Sequence, residues 1–366
     1  MTARRPSRRI MVGKLPVGGG APVSVQSMTN TDTRNVARTL AQIKNLVKAG
    51  CEIVRVAVPD ETAAHALPQI ISGSSIPVIA DIHFDARLAL LAIEAGVHGL
   101  RLNPGNIGGP DKVRLVAEKA GEAGIPIRVG ANAGSLPKGL LEDCMARCIS
   151  REDAIAQALV ESTLAQCRLL EECHFPAIKV SLKASDVSVT VSACRLIAAR
   201  TDYPLHLGIT EAGTLLRGSV KSAIGIGSLL LDGIGDTIRV SLTSDPVHEL
   251  KVARLILEDV GLRSPCPEIV SCPTCGRTQV DLLGLAEKVE RLVEELQASG
   301  ALIKMRKIAV MGCVVNGPGE ARDADIGLAG GKGVLMLFKK GEMVGTYSER
   351  EAFQLLREEI LKASKE

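Results

Sequence analysis

Three cysteines and one glutamate in the last hundred residues have the types and spacing to hold a soft metal. Cys272 and Cys275 stand three apart in Ser271–Cys272–Pro273–Thr274–Cys275–Gly276–Arg277. Cys313 follows on a second loop, and Glu320 comes seven positions later, after Val314–Val315–Asn316–Gly317–Pro318–Gly319. Thiolates gathered in this way hold zinc or iron–sulfur clusters. A zinc ribbon uses the same Cys-x-x-Cys pair but adds a second pair; a closed four-thiolate site here needs Cys266. With Glu320 as fourth donor the set becomes three sulfurs and one oxygen. A carboxylate is the weaker partner for iron, so it could give way to a substrate oxygen. The Asn316–Gly317–Pro318–Gly319 turn is expected to fold Glu320 back toward Cys313; the plainer reading makes Glu320 a surface carboxylate. Cys51, Cys167, Cys173 and Cys194 read as small core residues. Cys144 and Cys148 lack the third cysteine of a radical enzyme that uses S-adenosylmethionine, because position 151 is Arg151, and they read as structural.

A second set of polar residues falls at the ends of short β-branched runs. Arg55, Arg101, Arg128, Lys183 and Arg239 are cationic; Asn103, Asn132 and Ser241 add hydrogen-bonding groups. Arginine's planar fork meets two phosphate oxygens at once, so the set points to an anionic substrate, a phosphate or diphosphate. The competing reading pairs these cations with Asp81, Glu211 and carboxylates of outer helices. Asp81, His83 and Glu211 are acid–base candidates, with Glu211 the carboxylate best placed for proton handling after Gly208–Ile209–Thr210. A Schiff-base role for Lys179 or Lys183 leaves Cys272, Cys275 and Cys313 unexplained.

The elements that must position these residues alternate. Strands are expected at Val23–Met28, Glu52–Val58, Pro77–Asp81, Gly99–Asn103, Pro126–Gly130, Ala177–Lys183, Pro204–Ile209 and Thr237–Leu242. Helical patterns such as Val36–Ala49, Ala86–Ala95, Asp111–Ala123, Glu152–Glu172 and Pro246–Val260 lie between them, several closed by Ala-Gly. Eight βα units in about 240 residues is the rhythm of an α/β TIM (βα)8 barrel, whose chemistry sits where strands end. A doubly wound sheet is disfavoured, because no Gly-rich dinucleotide turn opens the chain. Past Pro265 and Pro267 the rhythm changes to a small α+β module. It has strands at Glu268–Ser271 and Lys307–Met311, a helix at Asp281–Ala298, a hairpin over Val334–Tyr347 and a last helix from Glu349. The expected domains are thus 1–264, substrate-binding, and 265–366, metal-holding.

Composition narrows the partners. Lys plus Arg number 44 against 41 Asp plus Glu, so overall charge advertises neither nucleic acid nor membrane. Aromatics make up 2% and Trp is absent, which removes stacking platforms for single strands. No apolar run reaches the roughly 18 residues of a spanning helix. The basic start, Met1–Arg9, leads into no signal-peptide core, and a cytoplasmic chain with free thiols is expected.

The run from Val17 to Thr33 containing Gly18–Gly19–Gly20 and Gln26–Ser27–Met28–Thr29–Asn30–Thr31–Asp32 resembles the hydroxymethylbutenyl diphosphate synthase family of the methylerythritol phosphate route to isoprenoids. So do Lys179–Val180–Ser181–Leu182–Lys183–Ala184–Ser185, Arg239–Val240–Ser241–Leu242–Thr243, the Cys-Pro-Thr-Cys-Gly-Arg segment and Gly312 to Glu320. The similarity runs nearly end to end in the compact bacterial form. It implies a barrel followed by an iron–sulfur module and a head-to-tail homodimer in which one subunit's cluster module caps the partner's barrel. It implies reductive ring opening and dehydration of 2-C-methyl-D-erythritol 2,4-cyclodiphosphate, with electrons from reduced flavodoxin or ferredoxin. One 4Fe-4S cluster per chain would be held by Cys272, Cys275, Cys313 and Glu320. Diphosphate contacts would fall on Arg55, Arg101, Asn103, Arg128, Asn132, Lys183, Arg239 and Ser241, with Glu211 as acid–base carboxylate. The alternative from the residues alone is a zinc-stabilised, phosphosugar-binding barrel without redox chemistry.

Overall fold

A computed structural model of the chain describes residues 3–264 and 267–364, so Cys266 lies outside the described residues. The chain divides into two compact units, Met1–Arg263 and Ser264–Glu366.

The first unit opens with a small antiparallel hairpin, β1 (Ile10–Val12) and β2 (Leu15–Val17). Eight strands follow: β3 (Ser24–Met28), β4 (Ile53–Ala57), β5 (Val78–Asp81), β6 (Leu100–Arg101), β7 (Ile127–Asn132), β8 (Ile178–Lys183), β9 (His206–Leu207) and β10 (Thr237–Ile238). They pair in parallel in the order β8-β7-β6-β5-β4-β3-β10-β9. A single parallel bridge, Val180↔Leu205, joins β8 to the start of β9 and closes the ring. All eight strands expected from the sequence are present, most of them shorter than their apolar runs.

Helices α1 (Val36–Lys48), α2 (Glu61–Gly73), α3 (Ala86–Glu94), α4 (Pro110–Glu122), α5 (Leu140–Met145), α6 (Arg151–Glu171), α7 (Val187–Arg200), α8 (Leu215–Leu231) and α9 (Pro246–Asp259) connect the strands. Several start where a side-chain oxygen takes an otherwise unpaired helix N–H: Asn35 from Arg38, Asp60 from Ala63, Ser150 from Asp153 and Asp186 from Val189. Ile43, Leu46, Leu67 and Ile70 on the helices bury against Val54, Val56, Val78 and Ala80 on the strands, forming the core between ring and shell. Parallel strands covered this way read as nearly continuous apolar runs, which is why they were legible.

The hairpin was not anticipated, since three-residue strands carry too little periodicity. Its Ile10, Val12 and Val17 pack on Ile53 and Ile79. The segment before it crosses the strand starts nearby. Arg5 N–H donates to Gly233 O (2.9 Å) and Arg8 N–H to Asp202 O (2.7 Å), while the Arg5 guanidinium donates to the carbonyls of Thr201 and Tyr203. Asp236, 2% exposed, anchors this strap: Oδ1 accepts from Arg4 Nη2 (3.1 Å) and Ser7 Oγ (2.9 Å), and Oδ2 from Leu205 N (2.8 Å).

The second unit is a five-stranded sheet in sequence order, β11 (Glu268–Ser271), β12 (Lys307–Met311), β13 (Ile326–Gly330), β14 (Leu335–Lys339) and β15 (Glu342–Tyr347). Strands β11, β12 and β13 run parallel, and β14 runs antiparallel to both its neighbours, β13 and β15. Helices α10 (Leu282–Ala298) and α12 (Glu349–Ala363) contribute Leu285, Val289, Leu356 and Ile360 to a core shared with Ile308, Val310, Ile326 and Leu328. The short helix α11 (Gly317–Arg322) packs Ala321 with Met311, Ala329 and Phe338. Strand β13 and α11 were not expected: the Asn316–Gly317–Pro318–Gly319 stretch begins a helix instead of making a turn. Gly327 in β13 lowers strand propensity, but a Cβ there would stand 2.7 Å from the Ala321 backbone, so the close seating of α11 requires it. Among the described residues no helix is long and apolar enough to cross a membrane.

Replacing Asp236 by Ala leaves the Leu205 amide without its acceptor and takes the counter-ion from Arg4, which keeps only the carbonyls of Ala21 and Gly235. The expected loss is about 2–3 kcal/mol of stability, read as a lower urea midpoint; an unchanged midpoint would show that the strap is not anchored there.

Candidate functional site

Strand register brings the barrel's polar residues into one mouth. Asp81 lies opposite Arg101, Arg101 opposite Arg128, Gly130 opposite Ser181 and Asn132 opposite Lys183. Alternate residues of each strand point inward, so one barrel face collects them. They line a cavity of about 230 Å³ bounded by Arg55, Asp81, His83, Arg101, Arg128, Gly130, Asn132, Ser181, Lys183, Thr210, Arg239 and Ser241. Five cationic side chains therefore face one carboxylate.

That carboxylate is the organiser. Asp81, 6% exposed, lies 3.8 Å from Arg55 Nε, 3.5 Å from Arg101 Nε and 3.4 Å from His83 Nε2. Burial works against its charge, but the His83 hydrogen bond and the two guanidinium groups outweigh it and hold Asp81 well below the usual carboxylate range. Arg101 Nη1 stands 3.1 Å from His83 Nδ1 and 3.2 Å from Nε2, so the imidazole lies between this guanidinium and the Asp81 carboxylate. Arg55 also rests on Met28 Sδ at 3.0 Å.

The remaining cations have weaker local partners. Arg128 donates to Ser181 Oγ (2.7 Å), a neutral group. Burial first, then Arg55 and Arg101, push Arg128 well below its usual range. Burial, Arg128 and Arg239 do the same to Lys183. Arg55 is lowered to about 10 by burial, with Asp81 opposing and Arg239 and Arg101 reinforcing. The arginines keep their protons regardless, so for Arg55 and Arg128 the shifts reflect the cost of burial first and of crowding second, whereas Lys183 is drawn toward its neutral form. At an effective dielectric constant of about 20, two like charges roughly 6 Å apart repel by about 3 kcal/mol. A bound polyanion would relieve several such repulsions at once. Gly208 keeps the cup open, since a Cβ there would meet Lys183 Nζ and Arg239 O, each at 2.5 Å.

Asn103 does not line the cavity; its Oδ1 accepts from Gly130 N (3.0 Å) and fixes the β7 backbone behind it. Glu211 is exposed just past Thr210, outside the lining, with φ +51, a left-handed backbone unusual for a non-glycine residue. Strained backbone of this kind clusters at working sites. Gly130 and Met28 were not singled out as site residues in the sequence, the first because glycine offers no chemistry and the second because it reads as strand apolar.

In the second unit the thiols sit beyond the ends of adjacent parallel strands. Ser271 pairs with Val310, so Cys272 and the Gly312–Cys313 step leave the sheet side by side. Gly312 N donates to Cys272 Sγ (3.3 Å), and Gln279 N donates back to Gly312 O (3.2 Å). A side chain at Gly312 would stand 2.9 Å from both Thr278 and Leu282. The Cys313 thiol is lowered by backbone N–H groups of Val315 and Asn316 and by the Arg277 guanidinium, so one loop's arginine favours the other loop's thiolate. Cys275 is exposed, and none of the described cysteines is in a disulfide. Glu320, in the first turn of α11, has its carboxylate 3.7 Å from Lys307 Nζ, at the start of β12, not at Cys313 beyond the strand's end. Among the described residues no three His, Cys, Asp or Glu side chains are gathered closely enough to hold a single metal ion. In donor type the set fits a sulfide-bridged iron cluster, which is larger than one ion and keeps its ligands further apart. Cys272 and Cys313 leave adjacent strand ends, Cys313 is biased toward its thiolate, and Glu320 would have to leave Lys307 to join them.

Fold and sites together define a TIM-barrel enzyme with a cationic mouth and a second, thiol-bearing module. The family model described as the GcpE TIM-barrel domain matches residues 7–254, and that of the GcpE protein C-terminal domain matches residues 268–362. The chain belongs to the GcpE family. It is similar to 4-hydroxy-3-methylbut-2-en-1-yl diphosphate synthase (flavodoxin) of Maridesulfovibrio salexigens, with 55% identity over 94% of this chain and 92% of the relative. The protein of the same name from Geobacter sulfurreducens is also 55% identical, over 97% of each chain. The one from Desulfotalea psychrophila is 50% identical over 100% of this chain and 98% of the relative.

Lys183→Met should weaken binding of inorganic pyrophosphate about tenfold or more, because it removes one charge-assisted contact while keeping the side chain's length. Calorimetric titration checks this; unaltered affinity would remove Lys183 from the anion site.

Proposed function

We propose that this chain catalyses the reductive ring opening and dehydration of 2-C-methyl-D-erythritol 2,4-cyclodiphosphate to 4-hydroxy-3-methylbut-2-enyl diphosphate, a step in isoprenoid precursor biosynthesis. The observation that carries the reading is the ring of five cations around one carboxylate at the barrel mouth, in a chain whose relatives are named for this product. Such a ring suits a ligand bearing two phosphorus centres.

In this reading Arg128, held by Ser181, binds the diphosphate together with Lys183, Arg239, Ser241 and Asn132. Arg55 and Arg101 add charge while fixed by Asp81, and Asn103 acts through the Gly130 backbone. The Asp81–His83 pair orients the sugar-derived hydroxyl groups at the lip. The reaction takes up two electrons and one proton, breaks a ring C–O bond to phosphate and releases a hydroxyl as water. Glu211 delivers the proton to the departing hydroxyl, its exposed position and strained backbone suiting a group that meets substrate only in the complex. Cys272, Cys275, Cys313 and Glu320 hold one 4Fe-4S cluster per chain. When bound, that cluster supplies electrons singly, from reduced flavodoxin. A homodimer in which each cluster module caps the partner's barrel brings the two halves together.

Anaerobically prepared protein should convert the cyclic diphosphate with an artificial reductant and contain about four irons and four acid-labile sulfides per chain. One zinc and no sulfide would replace this reading with a zinc-stabilised binding barrel. Cys313→Ser should lose the visible cluster absorbance along with turnover; full iron and full rate in that variant would strike Cys313 from the ligand set. Arg128→Ala should raise the apparent dissociation constant for the cyclic diphosphate about ten- to a hundredfold, and normal binding would refute the assignment of the mouth.

A further inference from the structure

Below the cavity lining, polar side chains of the barrel interior lack any hydrogen-bond partner: Lys179 Nζ on β8 and both ring nitrogens of His206 on β9. Both residues are 1% exposed. An ammonium ion buried without an acceptor is heavily penalised. Lys179 lies in register with Arg128 of β7, and the other charges facing it are Arg55 of β4 and Asp236 before β10, with His206 on its other flank. Asp236 is already spent on Arg4, Ser7 and the Leu205 amide, so Lys179 has no free counter-ion. Burial, then Arg128, bring the amine down to about 7, with Asp236 opposing and Arg55 reinforcing.

We propose that Lys179 is a positioning residue that takes up a proton when the cyclic diphosphate occupies the mouth, so that the barrel floor becomes fully cationic only in the complex. This rests on the reading of the mouth as the diphosphate site. Arg128 and Arg55 are the cations that hold the proton off, and they are also the groups whose charge the ligand would offset. Neutralising them lifts the amine's affinity for a proton. His206 stays neutral, because burial and then Lys183, Arg128 and Lys179 hold it well below its usual range. Lys183 in the lining, held down by burial, Arg128 and Arg239, is the competing acceptor, and uptake on it would survive Lys179→Met. A proton bound only in the complex tightens binding at low pH. Affinity is at its full value below the free amine's titration near 7. It then falls by up to about tenfold per pH unit, until the bound amine itself titrates.

The test is calorimetric titration of the anaerobic, cluster-loaded protein with the cyclic diphosphate, without reductant, in buffers of different ionisation enthalpy. Each phosphorus of the ring carries one strongly acidic oxygen, so the ligand itself exchanges no proton near neutrality. Wild-type protein should take up a proton fraction that is small at about pH 6 and approaches one at about pH 8. Lys179→Met, which keeps the side chain's length, should lose most of that uptake and flatten the pH dependence of affinity, while His206→Gln should keep both. Uptake unchanged in Lys179→Met, or lost in His206→Gln or His83→Gln instead, would overturn the proposal. If Lys179→Met does not fold, the wild-type profile decides: uptake absent, or greatest at about pH 6, refutes it. Failure of the ligand to bind at all would instead refute the site.

Discussion

Everything at the barrel mouth is conditioned by the scarcity of negative charge. Asp81 holds Arg55, Arg101 and His83 in place; it is the one carboxylate in the cavity lining, and Glu249, buried behind that lining, adds a second negative charge toward Arg239 and Lys183. A folded protein tolerates such crowding when the cations keep some water and when the fold's stability is won elsewhere. Here the core between ring and shell is apolar and extensive. The mouth thus carries a standing electrostatic cost, which a bound anion would relieve.

The second unit solves a different problem. Soft donors must be presented without cross-linking to one another, and they must be chemically ready. Placing Cys272 and Cys313 after neighbouring parallel strands sets their spacing by the sheet. Gly312 N–H donates to the Cys272 sulfur, and the backbone N–H groups of Val315 and Asn316 together with Arg277 favour the Cys313 thiolate. Glu320 is differently placed. On the first turn of a short helix, its carboxylate faces Lys307 at the start of β12 instead of the thiol loops.

The barrel was legible because its signals repeat: each βα unit restates the same alternation, and polar residues at strand ends break an otherwise apolar run. The small unit was half legible. Its thiol loops and outer helices stood out, whereas β13 hides behind Gly327 and Gly330, and α11 begins with the residues of a turn. Both were chosen by packing: a Cβ at Gly317 would stand only 3.1 Å from the Cβ atoms of Met311 and Ala329. Side-chain direction was not legible at all. Nothing in the spacing tells that Asn103 serves the Gly130 backbone, that Glu211 stands outside the lining, or that Lys179 lies buried beneath Ser181 and Lys183 of the same strand.

The strap from Arg4 to Arg8 acts where the ring is least secured. Strands β9 and β10 are two residues long, and β8 meets β9 through one bridge at Leu205. The strap's contacts fall on Asp202, Tyr203, Gly233 and Asp236, the residues leading into those strands. It works like a drawstring at the base of the barrel: slackening it would let backbone amides at Val180 and Leu205 exchange with solvent before those of β4 and β5. An affinity tag fused close to Arg4 would therefore be felt at the opposite end of the same strands, where Lys183 and Arg239 sit.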